Sequence, residues 1–189
     1  MTNTRLFRVT LATTLLAFSS SIASAQSSFT ITSTEIKSGA TIANHQVFNG
    51  MGCKGDNVSP QLSWRGAPSD TKSFGVTVYD PDAPTGSGWW HWMVYNLPAN
   101  TTSLSSGAGD RNKKMLPSGG IQGPTDFGAP GWGGPCPPVG DKPHRYIFTV
   151  YALNVEHLDI PVGASSAMVG FNLNGHMLAK TSFTAMYDR

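Results

Sequence analysis

Two runs constrain this chain most: residues 89–97 (WWHWMVYNL) and 146–153 (YIFTVYAL) are almost wholly apolar at odd and even positions alike. An extended segment turns successive side chains to opposite faces, so a strand without polar alternation must be covered on both sides. Both runs are therefore expected to be central strands of a sheet with a layer on each face. Residues 73–79 (SFGVTVY) place Phe74, Val76 and Val78 on one face, and residues 29–36 (FTITSTEI) alternate cleanly. Residues 61–64 read as a further short strand. Ser165 or Ser166 can cap a helix in which Met168, Phe171, Leu173 and Met177 recur at roughly helical spacing up to Ala179, although Gly170 and Gly175 weaken it. Residues 181–187 return to strand. Many strands followed by one helix describe a mainly β domain with a minor helical part.

Between these elements the chain is rich in 21 Gly and 13 Pro, which excludes a helical bundle or coiled coil. With 39% hydrophobic residues it can bury a core, which excludes a disordered chain. Two stretches, 105–123 and 125–143, have no periodicity; loops of that length in a compact domain usually carry function.

Residues 1–25 read as a secretory signal peptide. Arg5 and Arg8 form a basic start, an apolar stretch follows from Leu11 to Phe18, and Ala23-Ser24-Ala25 offers an A-x-A cleavage site. The Ser and Thr content of residues 11–25 argues against a membrane anchor, which needs roughly 20 mostly apolar residues. A single domain over 26–189, secreted or periplasmic and with no integral membrane segment, is expected. Removing Arg5 and Arg8 leaves 11 Lys and Arg against 11 Asp and Glu. A neutral chain of this kind is not expected to hold nucleic acid, which is bound largely by excess positive charge. Cys53 and Cys136 would meet an oxidising compartment, where a pair is expected to form a disulfide; a nucleophilic cysteine is the alternative reading.

Common catalytic signatures are missing: no G-x-S-x-G, H-E-x-x-H, C-x-x-C or phosphate-binding loop occurs. Three clusters remain at strand ends. Asp80-Pro81-Asp82-Ala83-Pro84 ends one strand, Trp89-Trp90-His91-Trp92 opens another, and Gly134-Pro135-Cys136-Pro137-Pro138 leads to His144-Arg145-Tyr146. Each has a plain structural explanation: a turn, a core histidine, an ion-pairing arginine. Together they offer two imidazoles that donate to an anion, a carboxylate that orients one of them and keeps it protonated, and a stiff wall of proline and aromatic groups.

The sequence resembles the phosphatidylethanolamine-binding proteins, specifically their bacterial secreted, Raf-kinase-inhibitor-like branch. The resemblance runs from about Phe29 to Arg189 and rests on N-V-S-P-Q-L-S-W (57–64), Y-D-P-D-A-P (79–84), H-W-M-V-Y-N-L-P (91–98) and G-G-P-C-P-P-V-G-D-K-P-H-R-Y (133–146). It implies a large central β-sheet packed on a smaller sheet, with a short C-terminal helical part. It also implies a small pocket for phosphate, phosphoethanolamine-like or acetate-like anions. Asp80, His91, His144 and Tyr146 would hold the ligand, Pro137, Pro138 and the backbone at Cys136 would line it, and Asp82 and Trp89 would stand at its edge. Cys53 is the implied disulfide partner of Cys136, and a homodimer is in keeping with the branch. The family has no established reaction, so no cofactor and no catalysis are expected. The chain stops at Arg189, without the C-terminal helix that carries a tyrosine over the pocket in mammalian relatives.

The leading expectation is thus a secreted, non-enzymatic binding protein for a small anion or phosphorylated head group. One alternative is a secreted interaction or inhibitor protein that meets an extracellular or host partner through loops 105–123 and 125–143. A second is a metal-dependent hydrolase, since His91, His144 and Asp80 have the composition of a two-histidine-one-carboxylate site.

Overall fold

The computed structural model of the protein describes Met1 and residues 28–189; the expected signal peptide lies outside the described residues. In chain order the elements are β1 (Thr30–Thr32), β2 (Asn49–Gly50), β3 (Cys53–Lys54), β4 (Leu62–Arg65), β5 (Ser73–Asp80), β6 (Trp89–Pro98), β7 (Ser103–Leu104), β8 (Ile121–Gln122), β9 (His144–Leu153), α1 (Ser166–Gly175) and β10 (Met177–Tyr187). An antiparallel sheet in the order β10-β9-β5-β6-β8 forms the centre, a smaller sheet β1-β4-β7 packs on one face, and β2 pairs with β3.

The doubly apolar runs are β6 and β9, and both lie inside the large sheet on either side of β5. One face of each joins the core under the small sheet: Trp92 and Val94, and Tyr146, Phe148 and Val150, meet Leu62, Trp64 and Leu104 there. Their opposite face, with Met93, Tyr95, Tyr151 and Leu153, is covered by Val169 and Leu173 of α1. β5 occupies the middle although the buried part of its second face carries only the small residues Ser73, Gly75 and Thr77, before the half-buried Tyr79. The helix explains the small residues. A Cβ on Gly75 would stand 2.4 Å from Leu173 Cδ2, so the missing side chain is the space into which the helix leans.

Two boundaries differ from the sequence expectation for local reasons. The strand expected over 29–36 stops at Thr32, because Ser33 Oγ accepts from the backbone N–H groups of Glu35 and Ile36 and turns the chain. The helix starts as expected, with Ser165 Oγ accepting from Met168 N–H, but ends at Gly175 rather than Ala179. Met177 already pairs with Leu153 and Ala179 with Ala152, so cross-strand pairing outweighs the helical spacing. Within 125–143 the chain runs alongside the first half of β6, where Asp126 N–H donates to Trp90 C=O and Gly133 N–H to His91 C=O.

Cys53 and Cys136 form a disulfide across a sequence separation of 83 residues, tying β3 to the proline segment of that second loop. Closing a loop this long should contribute about 4 kcal/mol in the chain-entropy account. Non-reducing mass spectrometry of the protein purified without reductant should find no free thiol, and denaturant unfolding of a Cys53→Ser, Cys136→Ser variant should show a loss of roughly 2–4 kcal/mol. An unchanged unfolding midpoint would contradict the assignment.

Candidate functional site

The end of β5 and the beginnings of β6 and β9 lie at one edge of the large sheet, because Asp80 pairs with Trp89 and Tyr79 with Ile147. Asp80 organises this edge. Its Oδ1 accepts from the backbone N–H groups of Asp82 and Ala83, folding D-P-D-A-P into a turn, and its Oδ2 accepts from His144 Nδ1 at 2.8 Å. His144 Nε2 faces a second carboxylate oxygen, Oδ2 of Asp141, at 3.3 Å. A carboxylate only accepts, so both ring nitrogens carry protons and His144 is an imidazolium. Burial by itself would lower its pKa, but the hydrogen bonds to Asp80 and then Asp141 outweigh it and raise the value.

His91 reaches the same face through a fault in the ladder. Val78 pairs with Trp92 but Tyr79 pairs with Trp90, so His91 is an extra residue on β6. Strict alternation would set His91 and Trp92 on opposite faces; the bulge turns both toward the small-sheet side. There the His91 ring lies edge-on to Tyr146, with centroids 5.0 Å apart, and to Phe127 at 5.4 Å. Its Nδ1 donates to Gly133 C=O at 2.7 Å. Burial is the dominant influence and pushes its pKa down to about 4. Of the two imidazoles expected to donate to an anion, His144 is thus the one that its carboxylate partners favour in the protonated form, while burial favours the neutral form of His91.

A cavity of about 360 Å³ opens between these groups. Asp80, Trp89, His91, Cys136, Pro137, Pro138, His144 and Tyr146 line it, together with Met51, Phe127, Arg189 and three residues of the β5–β6 turn. Eight of the nine residues expected from sequence therefore meet here. The ninth, Asp82, does not line the cavity; its oxygens accept from Arg145 Nε and Nη2 and from Arg145 backbone N–H. Hydrogen bonding to Arg145 holds the Asp82 carboxyl below the usual range, and the pair braces the start of β9 against the turn.

Two glycines allow the far wall to close. A Cβ on Gly133 would lie 2.3 Å from the Phe127 ring, and one on Gly134 only 2.0 Å from Gln46 O. Tyr146 is fully buried, its hydroxyl has no hydrogen-bond partner, and burial followed by the charge of Asp80 raises its pKa, so it remains an O–H donor. Arg189 turns its guanidinium into the lining, where Nε donates to Pro137 C=O and Nη2 to Met51 C=O. Nothing in the sequence pattern marks Arg189, Phe127 or Met51. Asp141 does carry a signal, since it stands three residues before His144 in the D-K-P-H run. No group of three His, Cys, Asp or Glu side chains with metal-holding geometry occurs among the described residues.

Beside the cavity, and sharing Met51, Trp89 and Phe127 with it, runs a wider polar groove of about 830 Å³. Residues of both long loops, among them Asp110, Arg111 and Lys113 from one and Asp126 and Trp132 from the other, form its sides. The titratable pair and the unpartnered hydroxyl belong to the smaller cavity.

The family model for phosphatidylethanolamine-binding protein matches residues 32–188. UPF0098 protein YbcL of Escherichia coli K12 is 51% identical over 175 residues, spanning 93% of this chain and 95% of its own. UPF0098 protein YbhB of the same organism is 54% identical over 156 residues, covering 82% of this chain and 98% of its own. The crystal structure of E. coli YbcL, described as a new member of the mammalian PEBP family, superposes with a TM-score of 0.83 at 52% identity over 85% of this chain and 98% of that one. A PEBP homologue from Chlamydia trachomatis superposes with a TM-score of 0.71 at 31% identity, over 85% of this chain and 97% of its own.

The two histidines should give opposite pH dependences to folding. His144 has a folded pKa above its unfolded value of 6.5, so its stabilising contribution is whole below that pH and is lost as pH rises through the raised value. His91 has a folded pKa of about 4, so stability should fall as pH drops from 6.5 toward 4, by on the order of 3 kcal/mol. Urea unfolding at pH 7 and pH 4.5 should show this acid loss in the wild type and a smaller one in His91→Gln. Equal acid losses in the two proteins would contradict a neutral, buried His91.

Proposed function

We propose that this chain, which belongs to the phosphatidylethanolamine-binding protein family, is an exported, non-enzymatic protein whose cavity binds a small anion or phosphorylated head group. The observation that carries the reading is the Tyr146 hydroxyl, a buried O–H at the cavity with no partner. An unpaired buried polar group costs about 1–3 kcal/mol, which a ligand oxygen would recover. Two cations flank the same space, the His144 imidazolium and the Arg189 guanidinium. A volume of about 360 Å³ suits a head group rather than a whole diacyl lipid.

A binding role accounts for the arrangement better than catalysis does. Covalent chemistry needs a nucleophile beside a base. Of the lining residues with a hydroxyl or thiol function, Cys136 is in the disulfide, Thr85 Oγ1 donates to Gly88 C=O, and Tyr146 is held as the neutral phenol by burial and the charge of Asp80. His144 already has a carboxylate on each ring nitrogen. Export to the periplasm or beyond is supported by the disulfide and by the pattern of residues 1–25, since disulfides persist mainly in oxidising compartments. The neutral balance of residues 26–189 speaks against nucleic acid, and no helix among the described residues is long and apolar enough to cross a membrane.

A second reading, a contact surface for a protein partner, is favoured by the wide groove that both long loops line. Partner capture that survives Tyr146→Phe and His144→Ala would speak for it. The anion reading is tested by calorimetric titration of residues 26–189 with phosphoethanolamine and with inorganic phosphate. Tyr146→Phe should weaken binding about tenfold while leaving stability equal or higher, because the hydroxyl has no partner to lose. His144→Ala should also weaken binding, because it removes a positive charge beside the cavity and leaves the Asp80 carboxylate without its partner. No heat with either probe, or a Tyr146→Phe protein that binds like wild type, would overturn the reading.

A further inference from the structure

The hydrogen-bond inventory of the cavity is mixed. Tyr146 O–H and the Arg189 guanidinium are donors, but His91 is fixed the other way round. Its Nδ1 lies 2.7 Å from the carbonyl oxygen of Gly133, an atom that can only accept, so Nδ1 carries the proton. The ring is 3% exposed and wedged edge-on between Phe127 and Tyr146. Nδ1 makes the ring's side-chain hydrogen bond, the Gly134 backbone also acts on the ring, and the ring lines the cavity, where Nε2 is the nitrogen left for a ligand.

Charged and titratable neighbours come from three elements, and none stabilises a second proton on this ring through a direct hydrogen bond. Asp80, at the end of β5, already accepts from two turn N–H groups and from His144. Asp126, in the loop beside β6, accepts from Trp90 backbone N–H through Oδ2. On β9, Tyr146 is a donor and His144 is itself a cation. A second imidazolium would add like charge beside His144 on a buried ring. Burial holds the His91 pKa near 4 in keeping with this geometry. In the neutral ring Nε2 is therefore a bare lone pair that must meet a donor.

From this we infer, on the anion-binding reading above, that the cavity selects a ligand bearing its own acidic proton: a monoprotonated phosphate monoester in preference to an equally charged anion without one. The P–O–H group donates to His91 Nε2, while the ester's other oxygens accept from Tyr146 and Arg189. A sulfate monoester has the same shape and single negative charge. It would set an oxygen lone pair against the nitrogen lone pair, leaving a buried acceptor unpaired.

Methyl phosphate and methyl sulfate isolate that one proton, since neither carries an ammonium group. Phosphate monoesters lose their second proton near pH 6, so at pH 5 methyl phosphate is mainly the monoprotonated ion. At that pH it should bind roughly 10- to 100-fold more tightly than methyl sulfate, the factor expected for one unpaired buried acceptor. At pH 8 only about 1% of it keeps the proton, so its advantage over methyl sulfate should collapse. Methyl sulfate also reports any change at His144 over the same range. His91→Gln, which can present an amide N–H at the Nε2 position, should remove the discrimination at pH 5. Independently of any variant, ¹⁵N spectra of the wild type should show His91 as the Nδ1–H tautomer throughout pH 5–8. Equal affinities for the two esters at pH 5, or an imidazolium His91 at pH 6, would overturn the inference and leave the anion reading standing. If neither ester binds, while phosphate and phosphoethanolamine also give no heat, the anion reading itself fails and this inference with it.

Discussion

Asp80 makes three hydrogen bonds at the point where the large sheet ends, two to its own turn and one to His144 Nδ1 across the gap to β9. It is 2% exposed, and an ionised carboxylate at that depth is tolerated only with its lone pairs satisfied and a cation beside it. The turn N–H groups satisfy one oxygen and the imidazolium the other. One residue therefore folds D-P-D-A-P, orients His144 and fixes the charge of the cavity. Arg145 repeats the brace on the outside through Asp82, so the start of β9 is held to the turn from both sides.

The remaining wall depends on backbone approach. β6 inserts His91 as an extra residue, and the Gly133 carbonyl that binds its ring stands close because neither Gly133 nor Gly134 has a Cβ. The disulfide then secures the following proline segment to β3. Two histidines on neighbouring strands consequently take opposite roles. His144 lies between two carboxylates and is charged; His91 lies between two aromatic rings and a carbonyl and is neutral. The same side chain serves as a donor cation in one place and a proton acceptor in the other.

Much of this was legible in the residues. Doubly apolar runs at 89–97 and 146–153 announced interior strands, and the polar residues beside proline and aromatic groups lay at strand ends that do converge. What the pattern could not carry were effects of register and tertiary contact. The middle position of β5 depends on Leu173 filling the space above Gly75, a contact nearly a hundred residues away in sequence. The protonation state of His91 depends on a bulge one residue long and on a carbonyl from another loop. Asp82 reads like Asp80 in D-P-D-A-P, yet only Asp80 turns into the cavity, because Arg145 takes the other. Arg189 enters from the last position of the chain, where no periodicity points to it.

The central claim is that three strand ends and a proline loop build a receptacle whose donors converge on one small ligand. A crystal structure of residues 26–189 soaked with a phosphate monoester tests it most directly. The phosphoryl group should lie within hydrogen-bond distance of Tyr146 Oη and His91 Nε2, with the Arg189 guanidinium beside it. A phosphoryl group found only in the wide groove between the two long loops, or an empty cavity at saturating ligand, would contradict it.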